Sequence, residues 1–219
     1  MSTRRLPADE RREQILATAR RLIADRGYDG LNMDEVAEAV GVTKPVLYRH
    51  FTGKRDLYDA VLEEHLADLI RRLWVALSSS PDPRARLRSG LEAYFRFADE
   101  REDGFRTLVE ASARNEREMQ EKLGDAWDTL ADGIARTVGD LLRAAELDPA
   151  GAPIYARALI GMAQSVAEWW VRTRRIPRAD LVDYLLALTW RGFDGLPRHP
   201  IQRPPKKPPS RTVATRGDR

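Results

Sequence analysis

One stretch of the chain, Gly41-Val42-Thr43-Lys44-Pro45-Val46-Leu47-Tyr48-Arg49-His50-Phe51, gathers an ammonium, a guanidinium, a phenol and an imidazole just after a tight turn. If it is helical, Leu47 and Phe51 share one face at i and i+4. Lys44, Pro45, Tyr48 and Arg49 then point outward with His50 at the flank. Such a face suits DNA. Lys44 and Arg49 can meet phosphates or guanine edges, and Tyr48 and His50 can donate to phosphate oxygens. Lys54 follows at the start of the next periodic segment, where its charge and the first backbone N–H groups of a helix can hold a phosphate. The competing reading is a three-helix corner whose polar face is merely solvated.

Those side chains need short helices to hold them. Residues 9–26 repeat apolar side chains at helical spacing (Ile15, Leu16, Ala19, Leu22, Ile23), with Gly27 and Gly30 marking the stop. Asn32 with Glu35 has the form of a capping box opening a second helix, whose apolar face is Val36, Ala37 and Val40. Thr43 is expected to cap a third helix running to about Phe51, with Pro45 tolerated in its first turn. Val36, Val40, Val42, Val46, Leu47 and Phe51 are the expected small core of this helix-turn-helix. A long helix over 54–77 follows, and Ser78-Ser79-Ser80-Pro81 breaks the chain. Further helices are expected at about 83–101, 104–114, 116–146, 152–174 and 178–194, and nothing longer than a few residues alternates with period two. The fold class is therefore all-α: an N-terminal three-helix helix-turn-helix domain (9–56), a C-terminal helical bundle (57–196), and a proline- and lysine/arginine-rich tail (197–219) expected to be disordered.

Charge locates no DNA site by itself. The sequence pI is 9.3, yet residues 1–58 carry +2, residues 59–196 carry −5, and the last 23 residues carry +6. The excess sits in the tail, which suits background DNA affinity or nothing more than solubility. The chain has no cysteine, no apolar run of membrane length and no apolar stretch behind its basic start, so a cytoplasmic protein without disulfides is expected, with no membrane partner. An enzyme finds no support. His50, His65 and His199 form no ligand set, Glu63 and Glu64 are adjacent and diverge, and the serines at 78–80 lack a nucleophile-elbow context. No cofactor and no metal is expected. A purely structural helical adaptor would not need the outward set on the third helix.

In the C-terminal half, Tyr94, Phe95, Phe97, Phe105, Met119, Trp127 and Met162 are candidates to line an apolar cavity, with Arg106 as a partner for an acidic headgroup; the bland alternative is ordinary core and surface. The helices at 152–174 and 178–194 are apolar on more than one side. Leu159, Met162, Val166, Trp169 and Trp170 interleave with alanine and glycine, and Leu181, Leu185, Leu188 and Trp190 form a facing stripe. Such helices are buried on two sides, either deep within one subunit or across a subunit seam.

The run Gly27-Tyr28, Asn32-Met33-Asp34-Glu35-Val36-Ala37, Gly41 to Phe51 and Lys54-Arg55-Asp56-Leu57 strongly resembles the TetR/AcrR family of bacterial regulators over roughly residues 12–62. The resemblance implies a homodimer that binds a palindromic operator through its N-terminal helices and a small molecule through its C-terminal ones. It adds Asn32 and Thr43 to the DNA contacts, and places a four-helix dimer seam at Leu159, Val166, Trp169, Trp170, Leu181, Leu185 and Leu188. Pro45 departs from the glycine common in the family and has no N–H to donate. Asp103-Gly104-Phe105-Arg106, Gly161-Met162-Ala163 and Trp190-Arg191-Gly192-Phe193 look similar to actinobacterial regulators of fatty-acid synthesis, which implies an acyl-CoA or other hydrophobic effector. A repressor is the expected mode, with an activator of lipid-metabolism genes as the alternative.

Overall fold

The computed structural model describes the backbone of residues 7–114 and 117–194 and the side chains of residues 7–114 and 124–192. The tail from 197 and the Met119 side chain lie outside the described residues. The regular elements within them are helical, as expected: α1 (Ala8–Gly30), α2 (Met33–Val40), α3 (Lys44–His50), α4 (Lys54–Leu77), α5 (Pro83–Glu100), α6 (Glu102–Ala113), α7 (Arg117–Ala144), α8 (Ala152–Thr173) and α9 (Arg178–Asp194). No described helix is long and apolar enough to cross a membrane.

The periodic leucines dictate how these helices stack. Ile15, Leu16, Ala19 and Ile23 of α1 bury against Val36 and Ala37 of α2, Leu47 of α3 and Leu57, Tyr58 and Val61 of α4. The same cluster continues along α4 through Leu66, Leu69 and Leu73 into Phe95, Phe97, Phe105, Trp170 and Leu181. Apolar burial at about 25 cal/mol per Å² thus binds head and body into one cluster, with α4 as the shared strut. A smaller cluster, Val138, Leu142 and Ala152, ties α7 to the start of α8.

Helix ends follow local chemistry. Asp82 caps α5, accepting from the backbone N–H of Arg84 and Ala85 with Pro83 in the first turn. The α8 C-cap, Arg174, takes the left-handed conformation, lies 4.3 Å over the Trp170 ring and pairs with Asp99 (2.6 Å) and Glu102 (2.9 Å). It therefore fastens α8 to the junction of α5 and α6.

The α4–α6 crossing is close because Gly104 has no side chain: a Cβ there would lie 2.6 Å from His65 Nδ1. Burial pushes the His65 imidazole below its ordinary value of 6.5; Arg20 and Arg101 act in the same direction, while Asp103 and Asp68 oppose it. The folded chain thus keeps His65 neutral where the unfolded chain takes up a proton. Stability should be complete above about pH 6.5 and fall as pH drops through the depressed folded-state value. Thermal unfolding scanned from about pH 7.5 to 5 should show a loss in Tm that is shallower in His65→Gln; equal slopes would remove this assignment.

Candidate nucleic-acid interface and effector cavity

The turn between α2 and α3 is a paired C-cap. Gly41 sits at φ 75°, ψ 37°; its N–H donates to Glu38 O at 3.0 Å, and the Val42 N–H donates to Ala37 O at 2.9 Å. Glycine takes this left-handed conformation without the Cβ clash that other residues meet. At the start of α3, the Thr43 carbonyl accepts from the N–H groups of Val46 (2.9 Å) and Leu47 (3.1 Å). The expected Thr43 side-chain cap is absent, and the reason is local. Pro45 stands where a second-position N–H would be offered, and the Val46 N–H already serves the Thr43 carbonyl. The Thr43 hydroxyl is left exposed beside Lys44.

Leu47 and Phe51 are buried as expected, and the Arg12 guanidinium covers the Phe51 ring at 5.1 Å. Lys44, Pro45 and Arg49 are exposed, Tyr48 is 49% exposed, and His50 is half-buried at the flank. Val40 and Val42 pack against the core from its edge. Val46 is a correction. One residue from Leu47, it is turned about 100° away, is only half-buried and lies outside the core cluster.

Asn32 caps α2, its Oδ1 accepting from the Asp34 N–H at 2.9 Å, a contact of about 1 kcal/mol. The reciprocal half of the expected capping box is replaced: Glu35 holds Arg26 Nη1 at 2.5 Å. Asp34 pairs with Lys44 at 2.7 Å, bringing the starts of α2 and α3 together. The hydrogen bond to Asp34 and its charge raise the Lys44 pKa, so the side chain is an ammonium at neutral pH. Both partners are well exposed, which leaves the pair screened and easily exchanged for a phosphate. Lys54, at the start of α4, donates to the Asp29 carbonyl at 2.9 Å and lies 4.7 Å over the Tyr28 ring.

The chain around Tyr28 is a joint that sequence spacing does not reveal. Helix α1 breaks at Gly27 (φ 67°, ψ −174°), and the Tyr28 N–H donates to Glu110 Oε1 of α6 at 3.1 Å. The Arg114 guanidinium lies 4.3 Å over the Tyr28 ring and pairs with the Asp29 carboxylate at 3.4 Å. Tyr58 of α4 meets Tyr28 edge-on at 4.8 Å, and burial, reinforced by Glu110, holds its phenol well above the usual tyrosine range. The contributors are separated by 82 and 85 residues, so only the fold brings them together.

Among the described residues, three neighbouring cavities bear on the expected ligand site. The first, about 70 Å³, is lined by Leu73, Leu77, Leu87, Leu91, Leu130, Ile134 and Ala163, with Tyr94 and Trp127 among its walls. Tyr94 and Trp127 also border a second of about 80 Å³, which adds Phe105, Leu108, Gln164 and Glu168. Phe105, Val109 and Glu168 border a third of about 450 Å³, which reaches Gly27, Arg106 and Arg172. Tyr94, Phe105, Arg106 and Trp127 thus border cavities, although Arg106 is exposed and serves the outer one. Phe95 and Phe97 are corrections. Phe95 packs edge-on against Trp170 and Phe97 lies under Arg72, so both are fully buried core. Met162 packs half-buried against the core and borders none of the three. The leucines that do line the first cavity have the spacing of ordinary core and carry no signal that sets them apart.

The expected seam divides. Trp170, Leu181 and Leu185 are buried within the chain, with Trp170 Nε1 donating to Ile176 O at 2.8 Å, so they belong to the protomer's own core. Leu159 borders the first cavity, and Val166 packs half-buried against the core. Leu188 (64% exposed) and Trp169 (38%) do face outward, joined by Tyr184 (71%) and Ile154 (70%). Ala158, Gly161 and Ser165 continue this outer face of α8.

Comparison with known proteins places residues 15–61 on the model of bacterial regulatory proteins of the tetR family, and residues 83–192 on that of the tetracyclin repressor-like C-terminal domain. The HTH-type transcriptional activator FasR of Mycolicibacterium smegmatis is 34% identical over 194 residues, covering 88% of this chain and 87% of that one. A TetR-like transcriptional regulator from Rhodococcus sp. RHA1 superposes with a TM-score of 0.73 at 25% identity, over 87% of this chain and all of that one. The structure of AibR in complex with isovaleryl coenzyme A and operator DNA shares the fold, with a TM-score of 0.68 at 22% identity over 81% of this chain and 97% of that one.

Proposed function

The chain belongs to the TetR family of bacterial regulatory proteins and is a helix-turn-helix transcription regulator; we propose that it binds a palindromic operator as a homodimer and answers to an amphiphilic effector with a long apolar chain. The observation that carries the DNA-binding surface is α3: Leu47 is locked into the core while Lys44, Tyr48 and Arg49 stand free of it. In this reading α3 lies in the major groove, Tyr48 and Arg49 face base edges and phosphates, and Thr43, Lys44, Asn32 and His50 meet the backbone. Pro45 offers only its ring for apolar contact. The unit over 9–56 is the reading head, and 57–196 senses and dimerises.

The two heads of a dimer must sit about 34–36 Å apart to enter successive major grooves. The outward face of Ile154, Trp169, Tyr184 and Leu188 supports pairing through α8 and α9, because large apolar side chains left this exposed on two successive helices fit an interface. The apolar first cavity supports an acyl-like chain, and Arg106 and Arg172 at the outer one support an anionic headgroup. At about 70 Å³ the first cavity is far below the several hundred Å³ usual for a small-molecule site, so a long chain can enter only by parting the helices around it. A ligand that must move helices to bind has different affinities for two arrangements, which is the requirement for a switch. The relative named as an activator favours activation over the repression expected from the family at large.

Selection of bound fragments from a genomic DNA pool should return a palindrome, and Tyr48→Ala should lower affinity for it at least tenfold while Tm and sedimentation stay unchanged. A variant that binds as well as the wild type would remove α3 as the reading helix. At the seam, Leu188→Glu should sediment as a folded monomer, whereas Leu185→Glu should lower Tm by disrupting the protomer core. A Leu188→Glu dimer of wild-type stability would place the interface elsewhere.

A further inference from the structure

We propose that Arg114, just beyond the C-terminal end of α6, is a positioning residue for DNA binding: through the Tyr28 ring and Asp29 it fixes the Lys54 ammonium at the start of α4, where that ammonium meets a phosphate. The inference rests on the reading of Lys54 as a phosphate contact. Among the described residues a carbonyl and a ring, rather than a carboxylate, hold Lys54, both from residues 28–29. Arg114 grips the same two residues, over the Tyr28 ring at 4.3 Å and against the Asp29 carboxylate at 3.4 Å. Asp29 therefore serves both cations, Lys54 with its carbonyl and Arg114 with its side chain. Four residues earlier, Glu110 fixes the peptide that Lys54 and Arg114 share by accepting the Tyr28 N–H at 3.1 Å.

The break at Gly27 makes this grip necessary. The kink at Gly27 interrupts the helical hydrogen-bond run, and the Tyr28 N–H finds its acceptor in Glu110 of α6 instead. A Cβ at Gly27 would lie 2.8 Å from the Glu110 carboxylate, so the approach is close as well as strained for other residues. On the other side of α6, Phe105, Leu108 and Val109 border the cavities. One helix of 12 residues thus touches the effector space and ends at the device that aims Lys54. An effector that shifts α6 alters a DNA contact without touching the reading helix.

The test is the salt dependence of binding, because each phosphate contact contributes about 0.9 to the slope of log affinity against log salt. A mixed-sequence duplex serves as probe, so no operator need be known, and a failure here is separate from any failure of Tyr48→Ala on a selected palindrome. Lys54→Ala should make the slope shallower by about 0.9, and Arg114→Ala should do the same although Arg114 itself meets no phosphate. The double variant should be no shallower than either single one, and affinity near 100 mM salt should fall about tenfold in all three. Arg114→Lys, which keeps a cation over the ring, should restore most of the slope, as should Tyr28→Phe; Tyr28→Leu should not. A full slope in Arg114→Ala, even with reduced affinity, would overturn the proposal and leave Arg114 a purely structural residue. A double variant shallower by about 1.8 would overturn it also, since Arg114 would then meet a phosphate itself.

Discussion

The architecture depends on how α6 holds the broken end of α1. Gly27 kinks the helix, and Glu110 and Arg114 then orient Tyr28 and Asp29. Beside that grip, the DNA-binding helices are attached to the body by α4 and by apolar packing, with Ile23 of α1 and Leu57, Tyr58 and Val61 of α4 in one cluster with Phe105 and Leu108 of α6. The head is thus anchored in two ways, by α4 with its apolar packing and by a polar clasp. The two anchors differ in character. The α4 contact is apolar and broad, hence hard to alter, while the clasp consists of a few partly exposed polar contacts of modest individual strength. A weak second anchor is the one a ligand can bias.

The body is arranged to exploit this. The first cavity lies between α4, α5, α7 and α8, and α6 closes the path from it towards Gly27. Close-packed helices do not deform continuously, so filling so small a space moves whole helices in discrete steps. His65, pressed against Gly104, marks a close approach of α4 and α6. In the proposed dimer, movement of α6 would reach both α4 and the clasp, and through them the spacing and aim of the reading heads.

Local patterns made much of this legible from the sequence. The leucine periods of α4, the Gly41 turn and the alternation of Leu47 with Tyr48 are properties of neighbouring residues, and they stand in the structure where spacing puts them. The failures share one cause, which is competition from elsewhere in the chain or from the local backbone. Glu35 turns to Arg26 instead of its own helix start, Pro45 leaves the Thr43 hydroxyl without a cap bond, and Phe95 and Phe97 are claimed by core rather than cavity. On α8 and α9, apolar periodicity shows that both sides are wide but not which side faces inward. Leu185 and Leu188 read alike, yet one is buried and the other exposed. The clasp was invisible, since Glu110 and Arg114 have no local signal linking them to Tyr28.

The central claim is that the effector changes the disposition of the two reading heads through α6. The absence of native cysteine permits a single spin label at Arg49→Cys in each protomer without a background signal. Distances between the two labels, measured by double electron–electron resonance with and without palmitoyl-CoA, test the claim most directly. The account predicts a shifted distribution in the otherwise wild-type dimer and a much smaller shift when Arg114→Ala is added. An unchanged distribution in a dimer shown by calorimetry to have bound palmitoyl-CoA would contradict it.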